Sequence, residues 1–407
     1  MTLAPRYDVV IIGAGPAGLS AAAALRAGGV ESVAVIERAA EAGGVPLGCL
    51  HRSFGVAQYW RPLSGPAYAK RLVADCGVTP VLGVAATKLH PGGVLDVATP
   101  SGPRRIEAKR VLIATGARET PRGPRLISGA RSWGVVTTGS LQNLVYRAGL
   151  KPFERAFVIG SELVSFSALL TLRHAGIAVI GMLEENERIT ARRPGDWIAR
   201  HVLGVPVWTA TRLVAIHGGE RVTGVEIERN GERNRYPCDG VVFTGGFVPE
   251  ASLIADGPVR ADPATSGPAI DQHWRTTDPH YFAAGNLLRG IETAGTSAAE
   301  GRSAAHAIIR SLSNTERAPE RVIDIERAGP IRYVYPQRIA VPGTPIDRLQ
   351  LRGRATHAVS GRLWLAVNGK VVWSKRVDAL PERRLAWPGV RVPLDRLERL
   401  EVGLDPS

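Results

Sequence analysis

Within the first thirty-seven residues a buried strand, a glycine turn, a helix, a second strand and a terminal acid follow one another. Val9-Val10-Ile11-Ile12 runs into Gly13-Ala14-Gly15-Pro16-Ala17-Gly18, an Ala/Leu-rich helix follows, and Ser32-Val33-Ala34-Val35-Ile36 ends in Glu37. The chemistry of a βαβ unit dictates each residue type. Gly13 supplies the backbone freedom for a tight turn, Gly15 lets the main chain approach a pyrophosphate, and Gly18 lets the helix pack close on the strand. The helix start offers unpaired N–H groups and a positive partial charge to phosphates. Glu37 is placed to accept from the hydroxyls of an adenosine ribose. A bare glycine pattern is weak evidence, but in this context it predicts a dinucleotide site.

Length and composition set outer limits. A chain of 407 residues can form two or three domains with separate cores. No apolar run approaches the roughly eighteen residues of a membrane span, and the first strand starts too near Met1 for a signal peptide, so the sequence predicts a cytoplasmic protein without a membrane span. Cys49, Cys76 and Cys238 are far apart, which excludes a disulfide framework and a zinc or iron–sulfur site built from this chain alone. The net charge of +14 comes largely from arginines scattered one or two at a time. Without a basic block or a base-stacking motif, it does not predict nucleic-acid binding.

Glu41 to His51 is too rich in Gly and Pro for helix or strand and is expected to pass the reactive end of the cofactor. Pro66–Cys76 reads as an amphipathic helix, Leu82–Leu89, Gly93–Ala98 and Arg104–Ala108 as a small antiparallel meander, and Arg110–Ala117 as a buried strand ending at Thr115-Gly116. The opening unit then repeats: a strand from Ala156 to Gly160, a helix to about His174, and the strand Ala178–Leu183 ending in Glu184 and Glu185. Gly240–Gly246 closes this repeat with a second Thr-Gly strand. Asp278–Asn286 follows as a strand ending in Gly285-Asn286, with a helix from about Thr293 to Ile309. Beyond the polar stretch Ser311–Arg321, alternating runs flank Asn368-Gly369, a strong hairpin signal, so the tail predicts a small β module. Trp364, Trp373 and Trp387 read as its core.

These spaced motifs resemble the flavoproteins with two dinucleotide-binding domains, the superfamily of glutathione and thioredoxin reductases, over about residues 5–310. The fold implied is α/β: two Rossmann-like FAD/NAD(P)-binding domains of three-layer ββα type with a small C-terminal all-β module. Residues 1–118 plus 241–312 would form a discontinuous FAD domain, 119–240 an inserted NAD(P)-type domain with a degenerate motif, and 322–407 the module. The FAD contacts implied are Gly13, Gly15, Pro16, Ala17, Gly18, Glu37 and Arg38 from the opening unit, and Gly43, Gly44 and Val45 from the segment after it. Thr115, Gly116, Gly285, Asn286, Thr293 and Ala294 complete them. Asn286 stands where relatives carry Asp, and its amide can serve the same ribityl hydroxyl. Gly43–Gly55, followed by Leu63–Ala69, is similar to the FAD subunits of heteromeric dye-linked dehydrogenases: opine oxidases, hydrogen cyanide synthase and proline or hydroxyproline dehydrogenases. That resemblance implies a small-molecule substrate and, as partners, a second flavin subunit together with an iron–sulfur subunit. The oligomeric state stays open.

Thiol–disulfide exchange needs two cysteines within bonding reach, and Cys49 has no neighbour of that kind. A disulfide reductase is therefore not expected, and Cys49 reads as a small buried residue or part of the flavin pocket. In the second motif only Gly160 survives; Glu162 and Ser165 stand at the other two glycine positions. A carboxylate about 4 Å from a phosphate charge repels it by about 4 kcal/mol at an effective dielectric of 20, roughly a thousandfold in affinity. Glu184 or Glu185 argues the other way, as a ribose acceptor, so NAD(P) binding stays open. The main expectation is a dehydrogenase, or the FAD subunit of one, that oxidises an amino-acid-, opine- or hydroxy-type substrate by hydride transfer to flavin N5. The alternatives are an NAD(P)H-dependent reductase and a non-catalytic electron-transfer or assembly subunit. His51 and Glu292 are the acid–base candidates, although each also reads as a hydrogen-bonded structural residue.

Overall fold

The computed structural model describes residues 3–290, 292–313, 319–341, 346–392 and 396–407. The polar stretch Ser311–Arg321 thus lies in part outside the described residues. The chain divides into two compact units. One contains the opening residues to Gly44, Ala69–Ala117 and everything from Pro249 on; the other contains Val45–Tyr68 and Arg118–Val248.

In the first unit β1 (Arg6–Ile12), α1 (Pro16–Ala27) and β2 (Val33–Glu37) form the expected βαβ motif. Val9, Val10 and Ile11 are fully buried because the strand is covered on both faces. Each such side chain contributes about 1.5–3 kcal/mol relative to exposure. β1 pairs in parallel with β2, Val10 opposite Ala34, and with β3 (Gly102–Ile113), Val10 opposite Val111. Two runs read separately in the sequence are one strand here. The first half of β3 pairs antiparallel with Val94–Thr99 and the second half lies in the parallel sheet. Nothing between Ala108 and Arg110 breaks the chain, so the alternating exposed pattern passes directly into the buried Val111-Leu112-Ile113.

The second unit repeats the plan. β4 (Arg155–Ile159), α2 (Leu163–His174) and β5 (Ala178–Leu183) are followed by β6 (Gly240–Phe243), and the parallel sheet runs Val207–Trp208, β5, β4, β6, Val135–Thr137. A meander of Thr211–Gly218, Val222–Arg229 and Glu232–Pro237 joins it, with a core of Phe157, Ile216, Val225 and Phe243. Within Val45–Tyr68 a single 3-10 turn, Val45–Gly48, interrupts the irregular backbone expected there.

Back in the first unit, β7 (Tyr281–Ala283) adds to β3, and α3 (Ala294–Leu312) packs on α1. The approach is close enough that a β-carbon on Gly301 would lie 2.0 Å from the Ala17 carbonyl oxygen. The β module begins at Arg321–Asp324. Val359–Val367 and Lys370–Ala379 pair as a hairpin through Asn368 (φ 50°) and Gly369 (φ 79°), as Asn-Gly predicts. Trp387 is fully buried in the module's core and donates to the Trp364 carbonyl at 2.8 Å, with Trp373 partly buried against the same cluster.

Candidate active site

The turn between β1 and α1 is shaped by close backbone approach. A β-carbon on Gly18 would lie 1.9 Å from the Gly13 carbonyl oxygen, and one on Gly13 2.5 Å from that of Ala114. Gly15, the N-cap of α1, makes no side-chain cap, Pro16 occupies the first turn, and a β-carbon on Gly15 would meet nothing within 4 Å. The helix start therefore faces open space with its N–H dipoles unscreened by a side chain. Gly44 closes on this turn, its β-carbon direction 3.0 Å from the Gly15 Cα, and the Gly43 N–H donates to the Ala14 carbonyl at 2.8 Å. Glu37 fastens the turn from the other side. It accepts from the Ala14 N–H at 2.8 Å through one oxygen and from the Ala39 N–H at 2.9 Å through the other. An ionised carboxylate has about four lone-pair positions. Glu37 thus keeps acceptor capacity for ribose hydroxyls.

Three further segments border this turn. Thr115 donates to the Glu250 carbonyl at 2.8 Å, and the Gly116 carbonyl accepts from the Glu250 N–H at 2.9 Å. Arg38, largely exposed, lies 3.9 Å from the Glu250 carboxylate. Gly285 meets Ala17 closely, its β-carbon direction 2.9 Å from the Ala17 Cβ. Asn286 turns its amide along the chain: Nδ2 donates to the Glu292 carbonyl at 3.2 Å and Oδ1 accepts from the Glu292 N–H at 3.0 Å. That clamp sets the loop ahead of α3, whose N-cap Thr293 accepts from the Thr296 N–H at 3.2 Å just before Ala294. Backbone N–H groups at an uncapped helix start, a glycine surface without obstruction and a carboxylate with spare lone pairs together fit an adenine dinucleotide such as FAD.

The corresponding turn of the second unit is filled by the chain itself. Glu162 is the N-cap of α2, and its Oε2 accepts from Thr244 at 3.1 Å and from Ser165 at 3.3 Å. Burial pushes its carboxyl above the usual range, against the lowering effect of these hydrogen bonds. Arg125 lies across the same strand ends, donating at 2.9 Å to the carbonyls of Thr244 and Gly245, with its guanidinium 5.1 Å over the Phe243 ring. At the end of β5, where a ribose would bind, Glu184 is buried and accepts from Ser161, from the Asn186 backbone and amide, and from Thr190. Glu185 beside it is exposed.

His51 and Val45 belong to this second unit, whereas every other candidate named from the sequence lies in the first. The His51 ring is bracketed by Ser167 of α2 at Nε2, 2.6 Å, and by Ser53 at Nδ1, 2.8 Å, and it stacks on Phe54. Burial lowers its pKa, so the ring is neutral near pH 7. Cys49 is buried, with Sγ 3.7 Å from Gln142 Oε1, and burial pushes its thiol up to about 11. Val45 is 70% exposed. Glu292 is nearly covered and paired with Arg384 and Arg289. The Ser167, Arg125 and Arg384 partners escaped the sequence because each meets its target only through tertiary folding. Gly301 carried a weak signal, a lone glycine among small residues in a helical run.

With this geometry, comparisons with known proteins are informative. The family described as "Pyridine nucleotide-disulphide oxidoreductase" matches residues 7–301. An opine oxidase subunit of Rhizobium meliloti is 28% identical over 338 residues, 75% of this chain, and the match spans 63% of that relative's length. Thioredoxin reductase of Treponema pallidum is 27% identical over 311 residues, covering 74% of this chain and 95% of that enzyme. Among solved structures, thioredoxin reductase of T. acidophilum superposes with a TM-score of 0.64 at 23% identity, over 76% of this chain and 99% of that one, a likeness of fold. Members of this superfamily bind FAD and NAD(P), and the first unit carries the residues for FAD. The chain belongs to the pyridine nucleotide-disulphide oxidoreductase family, as a two-dinucleotide-domain flavoprotein with an added β module.

Proposed function

We propose that the protein is an FAD-dependent dehydrogenase, or the FAD-carrying subunit of one, whose electrons come from an amino-acid-, opine- or hydroxy-type substrate and not from a nicotinamide. The observation that carries this reading is the second nucleotide turn, where the Glu162 carboxylate lies against Gly160 and Gly245 in the place a pyrophosphate would take. The ribose-side acid Glu184 is likewise committed to four donors of its own chain. Likeness to the opine oxidase of Rhizobium meliloti supports the substrate class and a heteromeric assembly with a second flavin subunit plus an iron–sulfur subunit.

Bound FAD supplies a two-electron acceptor that the protein's own side chains lack. The α1 start and Glu37 bind and orient the dinucleotide. The start of α3 presents positive potential, which favours negative charge nearby. His51, neutral and hydrogen-bonded through both ring nitrogens to serine hydroxyls, can accept a substrate proton at the nitrogen that is not protonated, with Ser167 fixing the ring. Disulfide chemistry is not part of the reading: Cys49, Cys76 and Cys238 are all free and buried. The exposed Glu185 favours a second reading, an NAD(P)H-dependent reductase.

The test is anaerobic reduction of the flavin-loaded protein, alone and with proteins that copurify, by a panel of N-alkyl amino acids, imino acids and hydroxy acids, followed with an artificial dye acceptor. Dye reduction driven by one of these classes supports the proposal. Reduction driven by NADH or NADPH alone overturns it.

A further inference from the structure

Residues 285–300 contain three charged side chains with almost no exposure: Arg289 at 1%, Glu292 at 6% and Glu300 at 4%. Ions buried this deeply are tolerated only when well paired. Much of the pairing comes from the β module. Arg384, just ahead of the strand Leu385–Val392, donates to Glu292 Oε2. Arg289 forks onto both oxygens of Glu300, at 3.0 and 2.5 Å, and lies 3.9 Å over the ring of Tyr335. Arg352 is 3.7 Å from Glu300. Burial by itself would lower the Arg289 pKa, but the Glu300 charge outweighs it and holds the guanidinium well above its ordinary value. Arg289 is therefore committed to Glu300 and reaches Glu292 only at 3.6 Å. Arg384 is the close partner of Glu292.

The location gives this pair its consequence. Gly285 and Gly301 both press on Ala17, in the first turn of α1. The start of α3 lies seven residues, about 10 Å, along the helix from the Gly301 contact. Glu292 stands immediately ahead of the α3 N-cap, where an unpaired carboxylate would cancel the positive end of the helix.

We propose that Arg384 is a positioning residue for the cofactor: the β module delivers it to neutralise Glu292, so that the start of α3, and not a stranded carboxylate, sets the field met by the reduced flavin. This rests on the reading that FAD occupies the first nucleotide turn. It assigns the module an electrostatic task beyond packing.

The experiment uses the full chain and its R384Q, R384K, E292Q and E292Q/R384Q variants. FAD content is measured first, then the flavin midpoint potential and the dissociation constant for sulfite, an anionic probe of the ring. R384Q is expected to lower the potential and weaken sulfite binding about tenfold. R384K should recover most of the loss, and the double variant should return to within about twofold of wild type, because neither charge is then left alone. A yellow R384Q with unchanged potential and sulfite affinity overturns the proposal, as does a double variant no better than R384Q. Should R384Q fail to fold, E292Q decides: a raised potential and tighter sulfite binding support the proposal, and no change overturns it. A wild-type protein that refuses FAD overturns the underlying reading instead.

Discussion

Glu162 Oε1 and Gly245 are in contact across the second nucleotide turn: a β-carbon on Gly245 would lie 2.1 Å from that oxygen. The second Rossmann unit thus keeps its strand and helix geometry while a side chain occupies the place where a phosphate would sit. Replacing Glu162 by Gly should open the turn. We expect E162G to bind NADH or NADPH at least about tenfold more tightly than wild type, since removal of one carboxylate is worth up to about a thousandfold per phosphate charge. Titration calorimetry checks this, and equal affinities would dissociate Glu162 from the discrimination.

The same carboxyl makes a pH prediction. Its folded pKa is raised above the unfolded value by burial, so the folded state holds the proton longer, and this contribution to stability is lost as pH rises from about 4.5 through the folded value. E162Q, which cannot ionise, should melt at a higher temperature than wild type at pH 7, and the difference should shrink toward pH 4.

Gly15 and Gly18 separate binding from folding. G15A places a methyl in open space at a backbone angle open to alanine (φ −86°), so the protein should fold with wild-type melting behaviour yet bind FAD about tenfold or more weakly. G18A would force its methyl to 1.9 Å from a backbone oxygen and should fail to accumulate as folded protein. Equal FAD affinity in G15A and wild type would remove the α1 turn from the site.

If His51 accepts the substrate proton, H51A should lower kcat by about a hundredfold or more, and S167A by less, with KM little changed. Because burial lowers the His51 pKa, the acid limb of kcat/KM should lie below about pH 6.5 in wild type and vanish in H51A. A profile unchanged by H51A would make His51 structural.

Cys49, with its thiol pushed to about 11, is about one part in a thousand thiolate at pH 8. It should resist iodoacetamide in the folded protein, and C49S should keep full dye-linked activity. Loss of activity in C49S would reopen thiol chemistry.

The parts of this fold legible in the sequence are those set by local rules. Gly13, Gly18 and Glu37 announced the first turn because each answers a backbone or ribose constraint within one βαβ unit. Asn368-Gly369 announced its hairpin for a similar reason. Glu162 was legible as a misfit, a charged side chain at a glycine position. Arg125, Ser167 and Arg384 were not, because an arginine or serine has no periodicity that reveals a partner far along the chain. The continuous β3 was missed since its two halves have different neighbours, and burial patterns change where the neighbours do.

The central claim is that this chain holds one dinucleotide, FAD, and is closed to nicotinamide. Equilibrium dialysis of the purified protein against FAD, NADH and NADPH measures it directly. The expected result is one FAD per chain and no saturable NADH or NADPH binding at micromolar concentration. One equivalent of either nicotinamide bound alongside FAD would contradict the account.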